Sequence, residues 1–237
     1  MQFLKVNWPS PHFIEAVTTQ QNPQQPHNYN VATHVNDDVD VVMHNRDKLK
    51  KTLGYRNEPY WLNQTHSNLC INIDNTNNND ADASYTQQIE KPLVIMTADC
   101  LPIILCHPKE REIAAIHAGW RGLANGVIEN TLENLKKPLH EYMAWMGPAI
   151  CEQCYAVGDE LKQTFISRFP KAEHCFHQKQ QWHFSLTQMA QHILSQHGIQ
   201  NVFDAKACTF ENPAFYSYRR QAQTGRIATL IWIKDVK

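Results

Sequence analysis

The sequence predicts an α+β protein in which mixed β-sheets are flanked by helices. Short apolar runs alternate with segments of helical periodicity along the chain, without the regular strand–helix–strand repeat of a parallel α/β sheet. The two least structured stretches, Gln20 to Asn30 and Asn72 to Asp82, are too short to act as domain linkers, so residues 1–237 read as a single catalytic-size domain. A chain of 237 residues can bury roughly 70–75% of its unfolded surface, so it needs no disulfide or metal staple to fold.

The elements follow in order. Phe13 to Val17 and Val39 to Met43 are short apolar runs that read as strands, and Asn45 to Leu53 reads as a short helix. Tyr60-Trp61-Leu62 leads into Gln64-Thr65-His66. Pro92 to Thr97, Ile103 to Leu105 and Ile113 to His117 are candidates for buried strands. Leu123 to Lys137 carries Ile128, Leu132 and Leu135 at helical spacing. Tyr142 to Met146 returns as a strand and stops at Gly147-Pro148. Asp159 to Phe169 and Leu186 to His197 read as amphipathic helices, and Arg226 to Ile233 closes the chain as a β-rich run. Gln20 to Asn30 and Asn72 to Asp82 read as loops, because their Gln, Asn and Asp side chains compete with backbone pairing and bury little.

Composition narrows the function. The chain has 22 basic and 23 acidic residues, a formal net charge of -1. Such a balance carries no electrostatic footprint for nucleic acid or an anionic membrane. The mean hydropathy is -0.52, and no apolar run reaches the roughly 18 residues of a membrane helix. The first residues lack the apolar stretch of a signal peptide, so a cytoplasmic location is expected. Seven cysteines, an odd number, do not read as a disulfide framework. In a reducing compartment they are core filler, metal ligands or nucleophiles. The sequence contains no G-x-G-x-x-G or G-x-x-x-x-G-K-[ST] phosphate loop and no G-x-S-x-G nucleophile elbow.

Three segments carry chemistry: Gln64-Thr65-His66-Ser67, Thr97-Ala98-Asp99-Cys100-Leu101-Pro102, and His117-Ala118-Gly119-Trp120-Arg121-Gly122. In each, a His or Cys sits just past an apolar run, at the mouth of a sheet, where binding sites collect. One Cys and two His suit a catalytic zinc site with its fourth position open. Spacing alone favours ordinary surface His and a buried thiol over a metal site, since 13 His and seven Cys produce many scattered triples.

Further motifs lie in order around these. Asn45-Arg46 precedes them, Ala81-Asp82-Ala83 lies between, and Met146-Gly147-Pro148-Ala149-Ile150, Phe215-Tyr216-Ser217-Tyr218-Arg219-Arg220 and Thr224-Gly225-Arg226 follow. Together they make nearly the whole chain resemble the bacterial YfiH/YlmD-like family, also called the multicopper polyphenol oxidase or laccase-domain family. The resemblance implies a YfiH-like α+β domain, with His66, Cys100 and His117 as metal ligands. It also implies phosphorolysis of purine nucleosides (adenosine, inosine, methylthioadenosine) together with adenosine deaminase activity. The implied partners are a purine nucleoside and phosphate, the implied cofactor is Zn2+, and a monomer or weak homodimer is expected. A mixed Cys/His set also admits copper in vitro. One departure is plain: many members have an acidic residue where this chain has Ala156.

Other residues have two readings each. Arg46, Arg121, Arg219 and Arg220 carry forked donors suited to phosphate. Arg46 is the leading candidate for substrate binding and for a catalytic role, against a structural salt bridge; Arg121 serves equally to bind substrate or brace its loop. Asp82 and Asp99 either orient a ligand His or act as general acid/base. Trp120 stacks on a purine or packs in the core. Cys151-Glu152-Gln153-Cys154 is a C-x-x-C without a second one, which reads as packing near a turn. Two further functions compete. Copper-dependent oxidation of phenols calls for paired His-x-His ligands, and the sequence has none. Hydrolysis of peptidoglycan precursors would use Cys100 as nucleophile and a His as base.

Overall fold

The structure, a computed structural model, describes residues 1–22 and 29–236. Most of the loop expected over Gln20 to Asn30 therefore lies outside the described residues. In chain order the elements are β1 (Gln2–Lys5), β2 (Ile14–Gln20), α1 (Val39–Leu53), β3 (Tyr60–Trp61), β4 (Cys70–Asn72), β5 (Ala83–Thr86), β6 (Leu93–Thr97), β7 (Leu101–Cys106), β8 (Ile113–Ala118), α2 (Trp120–Asn125), α3 (Val127–Asn134), β9 (Met143–Met146), β10 (Ala156–Val157), α4 (Asp159–Arg168), β11 (Phe176–Gln178), β12 (Trp182–Phe184), α5 (Leu186–Gln196), β13 (Asn201–Asp204) and β14 (Ile227–Ile233). The α+β reading holds.

Two mixed sheets carry the architecture. One has five strands in the order β1-β2-β14-β6-β3, the other six in the order β13-β9-β7-β8-β5-β4. A third, small sheet is β10-β12-β11. Most pairs are antiparallel, but β3/β6, β4/β5 and β13/β9 run parallel.

The strand period of two sorts the side chains into layers. On β7, Ile104 and Cys106 join Ile95 of β6 and Ile231 and Ile233 of β14 in a core between the two large sheets. The alternate residues Leu101, Ile103 and Leu105 face the helices, packing with Ile128 and Leu132 of α3 and Ile193 of α5. On β14, Leu230 and Trp232 point the other way, against Leu49 of α1. The result is helix, sheet, sheet, helix. Strands buried on both faces explain the continuous apolar runs of β6, β7 and β8.

Two expectations need correction. Val39 to Met43 is not a strand but the first turns of α1. Asp38 caps that helix, its side chain accepting from the Asp40 N–H at 2.8 Å. Val42, Asn45 and Leu49 then fall on the buried face while Val39, Val41 and Met43 face solvent. Leu123 to Lys137 is not one helix either. Gly126, at φ 89°, ends α2 and starts α3, a left-handed conformation that glycine adopts without a Cβ penalty. Among the described residues, no helix is long and apolar enough to cross a membrane.

Candidate functional site

β6 belongs to the five-stranded sheet and β7 to the six-stranded one, so the short connector holding Asp99 and Cys100 crosses between the sheets. Asp99 takes φ 89° there, a strained conformation for a residue with a Cβ. Three donors hold it. Its carboxylate accepts from Thr209 Oγ1 at 2.6 Å and from the Arg219 N–H at 2.7 Å, and its carbonyl accepts from the Ile150 N–H at 3.0 Å.

His117 is the penultimate residue of β8 and is buried. His66 sits on the loop between β3 and β4 with φ 63°. Buried Asp82 organises both. Its carboxylate accepts from the backbone N–H groups of Thr65, His66 and Ser67 at 3.2, 3.0 and 2.6 Å and from the Ser67 hydroxyl at 2.7 Å. The same carboxylate receives His117 Nδ1 at 2.7 Å, which makes Nδ1 the protonated nitrogen and leaves Nε2 as donor to a metal.

His66, Cys100 and His117 therefore converge. Their ligand atoms all lie within 4.8 Å of one another, with Cys100 Sγ 3.6 Å from His66 Nε2. Gly119 makes the approach possible: a Cβ on it would stand 2.9 Å from both Cys100 Sγ and His66 Cδ2.

The electrostatics match. Burial pushes the Cys100 thiol up, but the adjoining His117 and His66 outweigh it and bring the group down to about 6. Burial pushes His117 down, and Cys100 and Asp82 outweigh that, raising it to about 9. Burial would raise Asp82, yet the bonds from His117 and Ser67 hold it below the usual carboxylate value. A thiolate and two imidazoles, one with its tautomer fixed, are a donor set that would suit Zn2+ with one further coordination position left for water or substrate.

That cavity measures about 490 Å³. Asp99, Trp120, Arg121 and Arg219 line it together with the three convergent residues. Trp120 opens α2 half-buried, with the exposed Arg121 guanidinium 4.5 Å from its ring centroid. Arg219 lies 5.2 Å over Tyr155 and donates twice to the Ala156 carbonyl, each at 3.3 Å. That contact uses the backbone, so it survives the loss of an acidic side chain at Ala156.

Other expected residues lie elsewhere. Arg46 does not line the cavity. It donates to the Val31 carbonyl at 2.8 Å and stacks on Trp61 at 3.8 Å, and burial lowers it to about 10. Arg220 is spent on the carbonyls of Thr209, Phe210 and Phe215. Asp82 stands behind His117 rather than in the cavity. Sequence reasoning assigned no role to His34, Tyr155 or Arg226, all of which line it. Arg226 is half-buried, and burial lowers it against the opposing charges of Cys100 and Asp99. Thr224-Gly225-Arg226 was a visible signal for it; His34 had none.

Comparison with known proteins places the chain in a family. Residues 15–234 match the family described as "Multi-copper polyphenol oxidoreductase laccase". The chain is 36% identical to a purine nucleoside phosphorylase of Pseudomonas aeruginosa, over 98% of this chain and 99% of that one. It is 33% identical to the purine nucleoside phosphorylase YfiH of Escherichia coli, over 95% and 96%. A crystal structure of a Neisseria meningitidis protein of the DUF152 family superposes with a TM-score of 0.91 at 34% identity, covering 99% of this chain and 100% of that one. YlmD from Geobacillus stearothermophilus, at 23% identity and TM-score 0.88 over 99% and 97%, shares the fold. Matched from β2 to the end of β14, the chain belongs to the multi-copper polyphenol oxidoreductase laccase family, the group that includes the YfiH proteins.

Proposed function

We propose that the chain, acting as one domain over residues 1–237, is a zinc-dependent purine nucleoside phosphorylase that also deaminates adenosine. The observation that carries this reading is the meeting of His66, Cys100 and His117 at a cavity walled by Arg121, Arg219 and Arg226. Relatives at 33–36% identity bear the phosphorylase name, and the site's chemistry is compatible with it.

Phosphorolysis needs a phosphate oxygen to attack the ribose anomeric carbon while the bond to the purine breaks and the base leaves with a proton. The cavity's guanidinium groups supply charge-assisted donors for the phosphate. Trp120 and Tyr155 offer aromatic faces for the base. Cys100, as thiolate, and the two imidazoles hold Zn2+, and Zn2+ supplies Lewis acidity toward substrate or water. Asp82 is a positioning residue for both His ligands. Asp99 already accepts two hydrogen bonds and is assigned to position the connector rather than to move a proton. Arg46, first expected at the phosphate, is assigned to brace the wall.

The test is product analysis on adenosine with and without phosphate. Adenine and ribose 1-phosphate should appear only with phosphate; inosine should form without it, because water is then the nucleophile. Failure to form either product in folded, zinc-loaded protein would sink the reading.

One observation favours a second reading. Cys100, His117 and Asp82 are aligned as nucleophile, base and orienting carboxylate, as a cysteine hydrolase acting on peptidoglycan precursors would need. Activity that survives chelation but not Cys100→Ser would select it.

A further inference from the structure

Away from the cavity, a second group of potential ligands has formed. The sulfurs of Cys151, Cys154 and Cys208 and a carboxylate oxygen of Glu211 lie within 4.8 Å of one another. Cys151, Cys208 and Glu211 line a separate cleft of about 360 Å³, which shares only Ile150 with the catalytic cavity.

Two short turns build the group. Glu152–Cys154 is one 3-10 turn, closed by the Cys154 N–H donating to the Cys151 carbonyl at 3.1 Å. Residues three apart eclipse in such a turn, so Cys151 and Cys154 share a side. Cys208 and Glu211 are also three apart, on a turn where the Asn212 N–H donates to the Cys208 carbonyl at 3.0 Å. The turns are docked by backbone bonds: the Ala149 N–H donates to Ala207 at 3.2 Å, and the Thr209 N–H to Ala149 at 3.0 Å. The two turns then meet: the Cys151 backbone N–H donates to Cys208 Sγ at 3.3 Å, and the Cys154 thiol donates to Glu211 Oε1 at 3.5 Å.

We propose that Cys151, Cys154, Cys208 and Glu211 form a second metal site, closed and structural, that takes Zn2+. Three thiolates and a carboxylate complete four coordination positions, the number a structural zinc site fills with protein ligands, and thiolates select a soft ion over Mg2+ or Ca2+. Binding displaces the thiol protons to the buffer. The site at Cys100 differs in kind, with three donors and an open side. The two clipped turns also bear on the catalytic cavity, because Ile150 and Thr209 both hold Asp99. The proposal does not depend on the phosphorylase reading.

The experiment is metal analysis of full-length, reduced protein, stripped with chelator, reloaded with Zn2+ and desalted. Wild type should hold two zinc ions per chain, Cys208→Ser one, Cys100→Ser one, and the double variant none. Because Cys208→Ser could fail to fold, the exposed Glu211 gives a gentler variant: Glu211→Gln should keep the fold and weaken one of the two zinc ions by at least about tenfold. Independently, Cys100→Ser protein loaded with Co2+ should keep an intense thiolate-to-cobalt charge-transfer band. A zinc content that Cys208→Ser leaves at the wild-type value, no such band, or a disulfide among these cysteines in reduced preparations would overturn the proposal.

Discussion

Replacing Gly119 with alanine puts a methyl group into the centre of the ligand set. The new Cβ would stand 2.9 Å from Cys100 Sγ and 2.9 Å from His66 Cδ2, where relaxed non-bonded contacts need roughly 3.5–4.0 Å. One or both side chains must retreat by about 0.6–1 Å, whereas a metal site tolerates displacements of about 0.2 Å. The expected loss of metal affinity is at least the ~10–100-fold that follows removal of an outer partner, or about 1.4–2.7 kcal/mol. Backbone conformation adds nothing to this, since Gly119 precedes α2 at φ -72° and ψ 165°. Gly158 precedes α4 at φ -84° and ψ 166°, and a methyl group there would meet nothing within 4 Å, so Gly158→Ala is a matched control. Both substitutions remove a favoured N-cap glycine and restrict the unfolded chain, a gain of about 0.4–1 kcal/mol. Zinc competition against a chromophoric chelator reads the affinity, and thermal unfolding of the metal-free proteins reads the fold. Wild-type affinity in Gly119→Ala, or equal losses in the two variants, would refute the reasoning.

Three other expectations follow from the same geometry. Asp82→Asn removes the charge that His117 Nδ1 and the His66 loop share, and should weaken zinc by about 10–100-fold in the same competition assay. In metal-free protein, the thiolate absorbance of wild type minus Cys100→Ser should titrate near pH 6 rather than 9; Cys100 then stabilises the fold fully above about 9 and loses that as pH falls through 6, while His117 stabilises fully below its ordinary 6.5 and loses that as pH rises through 9. A difference spectrum rising only near 9 would contradict the pairing. Arg226→Ala should impair phosphorolysis more than deamination, by roughly 10–150-fold from a lost charge-assisted contact worth about 1.5–3 kcal/mol, whereas Arg46→Ala should lower the melting temperature and affect both reactions equally; the reverse pattern in paired rate measurements would return Arg46 to the phosphate.

The sequence carried the buried strands better than the edges. β6, β7 and β8 stand out because both faces are covered, so their runs are almost wholly apolar, with polar Thr97 and His117 only near the ends that face the site. β5 escaped notice because Ser84 and Thr86 are buried without being apolar, and β10 to β13 are too short to show a period. Val39 to Met43 misled because its β-branched residues suggest a strand, while the burial of Val42, Asn45 and Leu49 obeys the helical period. At the site, spacing alone did not select His66, Cys100 and His117 from 13 His and seven Cys; longer motifs did. Cys208 stayed invisible as a partner of Cys151-x-x-Cys154, because the chain forms α4, α5 and the small sheet before it returns.

Asp99 has a mechanical consequence. Its left-handed backbone costs of order 1–3 kcal/mol, and the bonds from Ile150, Thr209 and Arg219 are what oppose its relaxation. Swinging the Arg219 segment outward would break one of those bonds and free the residue directly before Cys100. Outward movement of the Arg219 segment is thus coupled, through Asp99, to the connector that carries Cys100. Exposed Tyr218 and Arg121 also line the cavity and can rotate without breaking any of these bonds.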